Sequence, residues 1–149
     1  MPPSLADKKH AKTAWPSQSS KAEKPWGYEI RWGALQGIGG KLLYINKGCR
    51  NSLKLNRLKN ECLFVLEGEV EFEYGSELTM SNPEVYPFKK KKLSFGEHMN
   101  VQSGCPYRIT ALSDAQLIEI GSSHMDTDIV RIEDDYGRAP PLIQEVKNK

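Results

Sequence analysis

The sequence predicts an all-β domain, either a sandwich or a barrel. Several short segments alternate apolar and polar residues with the period of two that a half-buried strand requires. Turn-forming Gly, Asn, Ser and Pro fall between them. No stretch carries the 3.6-residue periodicity of a long amphipathic helix, so strands must supply the core.

Taken in order, residues 1–24 read as a basic arm. Five lysines face only two acids there, and periodic apolar residues are almost absent. The arm is either a solvated tail or a strap laid on a protein partner or a second subunit. From residue 25 the alternation begins. "GYEIRWG" and "GKLLYINKG" alternate. "LFVLEGEVEFEYG" is clearer, because Leu63 and Val65, then Val70, Phe72 and Tyr74, share period-two faces around a turn at Glu67-Gly68. Trp26 and Tyr28 sit at a strand start and are expected in the core rather than in a pocket.

"GSELTMSNPEVYPFKKKK" breaks the rhythm and reads as an extended hairpin loop. Its four lysines, Lys89–Lys92, suit a solvated strand edge that resists pairing with other chains. Without interleaved aromatics they are a weak pattern for nucleic acid, which is not an expected partner. "YRITAL" and "AQLIEIG" complete the strands, and residues 139–149 form a tail.

A chain of 149 residues suits one domain with a core of its own. A net charge of +2 gives little long-range steering toward nucleic acid or membrane. No apolar run approaches the ~18 residues that span a bilayer. The N-terminal segment lacks a signal-peptide apolar core and carries Asp7 and Glu23, so a cytoplasmic location is expected. Cys49, Cys62 and Cys105 form no C-x-x-C pair and read as reduced thiols, two of them packed as small hydrophobes.

Two spaced frames carry the functional information. Gly48 is followed by five residues, Lys54, one residue, Asn56, four residues, Glu61, six residues and Gly68. Further on, Gly96 is followed by five residues, Gln102, one residue, Gly104, two residues, Tyr107, three residues and Ala111. These spacings resemble the first and second cupin motifs. "KPWGYE" and "DTDIVRIEDDYGR" resemble the ends of the cupin domain of type II mannose-6-phosphate isomerases. The resemblance covers residues 25–138 and implies a double-stranded β-helix, or jelly roll, with a pocket inside the barrel. It also implies a homodimer and a sugar or sugar-phosphate ligand.

In that family a divalent metal polarises the sugar oxygens while a base moves a proton. Alternate residues of a strand face one side, so the single residue between the first two ligands places both in the barrel. Here the ligands are replaced. Lys54 and Asn56 stand at the first two positions, and Tyr107 stands where the second motif has histidine. An ammonium donates and does not ligate. A phenol must lose a proton of pKa ~10 to bind well. Only the Glu61 carboxylate is kept.

The expectation is a metal-free pocket of Lys54, Asn56, Glu61, Gln102 and Tyr107. In it Lys54 and Glu61 pair, and Asn56 and Tyr107 complete the hydrogen bonds. The alternative is one divalent ion at a rebuilt site using Glu61 and His98; His10 and His124 are poorer candidates. Asp126, Asp128, Asp134 and Asp135 offer a separate weak site for Mg²⁺ or Ca²⁺. By resemblance Arg138 approaches a substrate phosphate, but pairing among the charges of its own segment is preferred.

Three functions follow. The preferred one is a non-catalytic module for sugar binding or assembly, with no catalytic residue assigned. The second is a mannose-6-phosphate isomerase with atypical ligands. The third is nucleic-acid association through the arm and Lys89–Lys92.

Overall fold

The computed structural model describes residues 12–33, 35–122 and 128–139. Its regular elements are strands: β1 (Ser20–Lys24), β2 (Gly27–Trp32), β3 (Gly39–Ile45), β4 (Leu53–Asn56), β5 (Glu61–Glu67), β6 (Val70–Tyr74), β7 (Lys89–Leu93), β8 (His98–Val101), β9 (Tyr107–Ala111), β10 (Ala115–Gly121) and β11 (Ile129–Glu133). They form two antiparallel sheets, ordered β1-β2-β3-β10-β5-β8 and β11-β4-β9-β6-β7. The chain is a jelly roll, the all-β architecture that the resemblance implied.

The inner faces meet in one core. Leu63 and Val65 of β5, Val70 and Phe72 of β6, Ile109 of β9 and Leu117 of β10 are all fully buried there. The turn between β5 and β6 needs Gly68, whose φ is 82°. A Cβ at that position would meet the Asp114 carbonyl oxygen and the Ala115 Cα, so only glycine fits.

Several expectations change here. The last residues of the arm, Ser20–Lys24, are β1 and pair along β2, from Ser20 opposite Arg31 to Lys24 opposite Gly27. They lie on their own domain, and residues 12–19 run exposed ahead of them. Residues 1–11 and the tail from 140 lie outside the described residues. The extended hairpin loop joins β6 to β7, with Val70 opposite Leu93 and Tyr74 opposite Lys89. Lys89–Lys92 are exposed on β7, the outer strand of its sheet, where four ammonium groups hinder pairing with another chain. All three cysteines are free, and Cys49 and Cys105 pack against the core. Tyr28 stacks on Tyr44 with ring centroids 5.0 Å apart, and Trp26 is buried.

Among the described residues, no helix is long and apolar enough to cross a membrane.

Candidate functional site

Strand register brings the two sequence frames together. Lys54 on β4 is the cross-strand partner of Tyr107 on β9. Its ammonium lies 5.7 Å from the Tyr107 ring centroid. Asn56 is two residues along the same face of β4. Glu61 begins β5 on the opposite sheet, with its carboxylate turned into the barrel and 4% exposed. Asn56 Nδ2 and the Tyr107 hydroxyl, at 3.1 Å, both donate to Glu61 Oε1. Four of the five residues proposed for the pocket therefore converge.

The ion pair is not the expected one. Glu61 pairs with Lys59, whose ammonium is 3.6 Å from Glu61 Oε2 and 3.2 Å from Glu119 Oε2. Lys54 makes no ion pair within 4.0 Å, although it feels the Glu119 and Glu61 charges. Lys59 arrives from the β4–β5 loop and is 5% exposed. Glu119 sits on β10, the neighbour of β5, opposite Leu63.

Burial and the Glu119 carboxylate raise the Glu61 pKa to about 7. Burial works against the Glu119 charge too, but its hydrogen bond with Glu61 and the nearby Lys59, Lys41 and Lys54 hold its pKa below the ordinary value. Two carboxyls this close cannot both ionise freely, so the pair takes up a proton more readily than an isolated carboxyl does, and Glu61 is the more easily protonated of the two. Burial and the same two acids push the Tyr107 phenol well above its ordinary value. Tyr107 stays protonated and donates. Burial lowers the Lys54 pKa.

A small pocket of about 40 Å³ opens beside this cluster. Lys24, Lys41, Lys54, Arg131 and Arg138 line it, with Glu29 as its acid and Trp26 as an apolar wall. Glu29 accepts from Arg31 at 2.7 Å and pairs with Lys24 and Lys41 at 3.4 Å each. A larger cavity of about 330 Å³ lies in the β6–β7 loop, between Tyr74, Thr79 and Tyr86. Its lining carries no carboxylate or imidazole, whereas the smaller one adjoins the Glu61 cluster.

No family model matches the sequence, and no curated protein matches it closely enough to name a relative. Solved structures do match. A mutant of Bacillus subtilis oxalate decarboxylase superposes with a TM-score of 0.69 at 13% identity, covering 87% of this chain and 34% of that one. CapF in complex with 3-isopropenyl-tropolone gives 0.66 at 14% identity, covering 79% and 35%. KdgF from Halomonas sp. gives 0.60 at 14% identity, covering 72% and 89%. The two-sheet jelly roll is common to all three.

The chain has the cupin fold. It spans about a third of the CapF and oxalate decarboxylase chains and most of KdgF.

Within this cupin, two of the candidate site residues fall elsewhere. Gln102 is exposed in the turn after β8 and contributes a backbone carbonyl to the Cys105 amide at 3.2 Å. His98 cannot rebuild a site with Glu61. Glu61 is opposite Val101 and Phe64 is opposite His98. Three residues separate the pairs, so His98 points to the outer face while Glu61 points inward. His10, His124 and Asp126 lie outside the described residues.

The acids do not assemble a cation site either. Asp128 accepts the Leu58 and Lys59 backbone amides, the latter at 2.8 Å. Asp135 holds Arg50 through two bonds of 2.6 and 2.8 Å. Asp134 holds the Arg138 side chain at 2.9 and 3.0 Å, so Arg138 pairs within its own segment, while Asp135 and Glu133 reach out to Arg50 and Arg108. Arg138 still borders the pocket.

Nor does the barrel fit a divalent metal. Among the described residues no group of three or more His, Cys, Asp or Glu is placed to hold one. Between the two inward carboxyls stands the Lys59 ammonium, which supplies the positive charge and blocks ligation.

Three residues of the site were missed by sequence reasoning. Glu119 shares the parity of the apolar Ala115 and Leu117, and an acid on an apolar face was the available signal. Arg131 sits in the end segment with no periodicity to place it. Lys59 lies in a loop, and nothing in the sequence marked it.

Proposed function

We propose that this cupin is a metal-free, non-catalytic relative of the mannose-6-phosphate isomerase type that binds a sugar or sugar phosphate. One observation carries the reading. The retained ligand Glu61 is engaged by Asn56, Tyr107 and Lys59 and competes with Glu119 for a proton. A satisfied, readily protonated carboxyl has no free charge to offer a metal. The pocket beside it keeps a polar, basic wall for a ligand. Homodimerisation is part of the proposal. Ile30, Leu42, Ile118 and Phe64 line up across β2, β3, β10 and β5 on the outer face, half-buried. A second subunit would cover that row, and we place the protein in the cytoplasm.

A metal-dependent isomerase with atypical ligands is the second reading. Glu61 favours it in one respect, since a carboxyl titrating near 7 suits a general acid or base.

Elemental mass spectrometry of the purified, untagged protein, together with a mannose 6-phosphate isomerase assay, separates the two. The expected result is a substoichiometric transition-metal content and no turnover. Near-stoichiometric Mn, Fe, Co, Ni or Zn with isomerisation would establish the second reading instead.

A further inference from the structure

The pocket contains two cations that make no ion pair within 4.0 Å among the described residues. Lys54 and Arg131 are direct cross-strand partners on β4 and β11, and both line the pocket. Like charges directly opposite each other destabilise a sheet. Arg131 Nε is buried and has no hydrogen-bond partner. Among the described residues Lys54 has no ion pair within 4.0 Å; the Glu119 and Glu61 charges favour its ammonium and Lys41 opposes it.

The nearby acids are already committed. Glu29 takes Arg31, Lys24 and Lys41. Asp134 takes Arg138. Glu119 takes Lys59. The acids that act on these two cations, Glu119, Glu61 and Glu29 on Lys54 and Asp134 on Arg131, each pair directly with another cation. A buried guanidinium nitrogen without an acceptor costs free energy that an incoming oxyanion would recover.

We propose that Lys54 and Arg131 form the anion subsite of this cupin and together hold a compact dianion of the phosphate type. The proposal rests on the binding-module reading and names the part of the ligand that the pocket recognises. Where metal-binding cupins place ligands around a cation, this barrel places cations around an anion. Arg131 offers a planar fork of donors matched to two oxygens, and Lys54 adds a point charge. Two cations without a direct ion pair favour a doubly charged oxyanion, so a phosphate monoester ionised twice fits better than a carboxylate. The room of about 40 Å³ would hold roughly three waters, enough for an oxyanion head but not a whole sugar. The rest of a ligand must lie outside.

The test is calorimetric titration of the full chain at low ionic strength with inorganic phosphate, sulfate and acetate. Phosphate at pH 8 and sulfate should bind, and acetate at least tenfold more weakly. Phosphate should weaken as the pH falls from 8 to 5, where inorganic phosphate gains a proton and loses its second charge, while sulfate should not. Lys54→Met and Arg131→Met should each weaken phosphate at least tenfold without lowering the unfolding midpoint. Lys90→Met, on the distant β7 edge, should leave it within twofold. The proposal is overturned if the parent protein binds neither dianion, or if both pocket variants bind as the parent does. A carboxylate preference would keep the site and reject the dianion. Isomerase turnover or stoichiometric metal in the same preparation would sink the non-catalytic reading, and the titration would still decide the subsite.

Discussion

Glu61 on β5 and Glu119 on β10 lie diagonally across neighbouring strands, Glu119 opposite Leu63 and Glu61 opposite Gly121, and compete for one proton beside the ammonium of Lys59. Glu61 is the carboxylate that the resemblance to the first cupin motif sets among the metal ligands. The free energy of the pair depends on where the proton resides.

The first prediction is a pH dependence of stability. The folded pKa of Glu61 is about 7, above the ordinary 4.5. The native state keeps a proton that the unfolded chain releases. The Glu61 contribution is therefore complete below pH 4.5 and lost as the pH rises through about 7. It is worth at most about 3 kcal/mol. Glu119 acts in the opposite sense, since its folded pKa is depressed; its contribution holds above 4.5 and is lost in strong acid. Urea unfolding between pH 5 and 8 should show the parent protein losing stability relative to Glu61→Gln. Parallel curves for the two proteins would contradict the raised Glu61 pKa.

Lys59→Met should destabilise the protein by about 3–5 kcal/mol, because it leaves the Glu119 charge buried without its closest cation. Adding Glu119→Leu should recover most of that loss. Chemical denaturation of both variants is the check, and equal losses would mean that the pair is not the reason for the cost.

Lys54→Met should behave differently. Lys54 is desolvated, has no ion pair within 4.0 Å and stands opposite Arg131. Removing it should leave the unfolding free energy unchanged or raise it by about 1 kcal/mol, the scale of a relieved cross-strand repulsion. A loss of several kcal/mol would restore the Lys54–Glu61 pairing that the sequence suggested.

Gly68→Ala should cost more than about 1 kcal/mol, since alanine resists a φ of 82° and its methyl would strike the Asp114 carbonyl. Gly48 has a similar φ of 81° but open space around it, so Gly48→Ala should cost less. Thermal melts of the two variants give the comparison.

By itself the sequence determined the strand class, since "LFVLEGEVEFEYG" can bury one face only as two strands around a glycine turn. The resemblance to the two cupin motifs implied that Lys54, Asn56, Glu61 and Tyr107 meet, and strand parity agreed by putting Lys54 and Asn56 on one face. The same spacing misled at Gln102, which falls just past the end of β8, and at His98, whose outward parity follows only from its pairing with Phe64. β1 was hidden in the arm, since an edge strand such as Ser20–Lys24 needs no apolar face. Partner choice was the part that only the tertiary structure decided. Lys59 and Lys54 are both lysines a few residues from Glu61, and nothing local distinguishes them. The fold folds the β4–β5 loop back so that Lys59 lies between two carboxyls, and it lays β11 along β4 so that Lys54 faces Arg131. Charges interact through space at a few ångströms, and those distances exist only once the two sheets have closed.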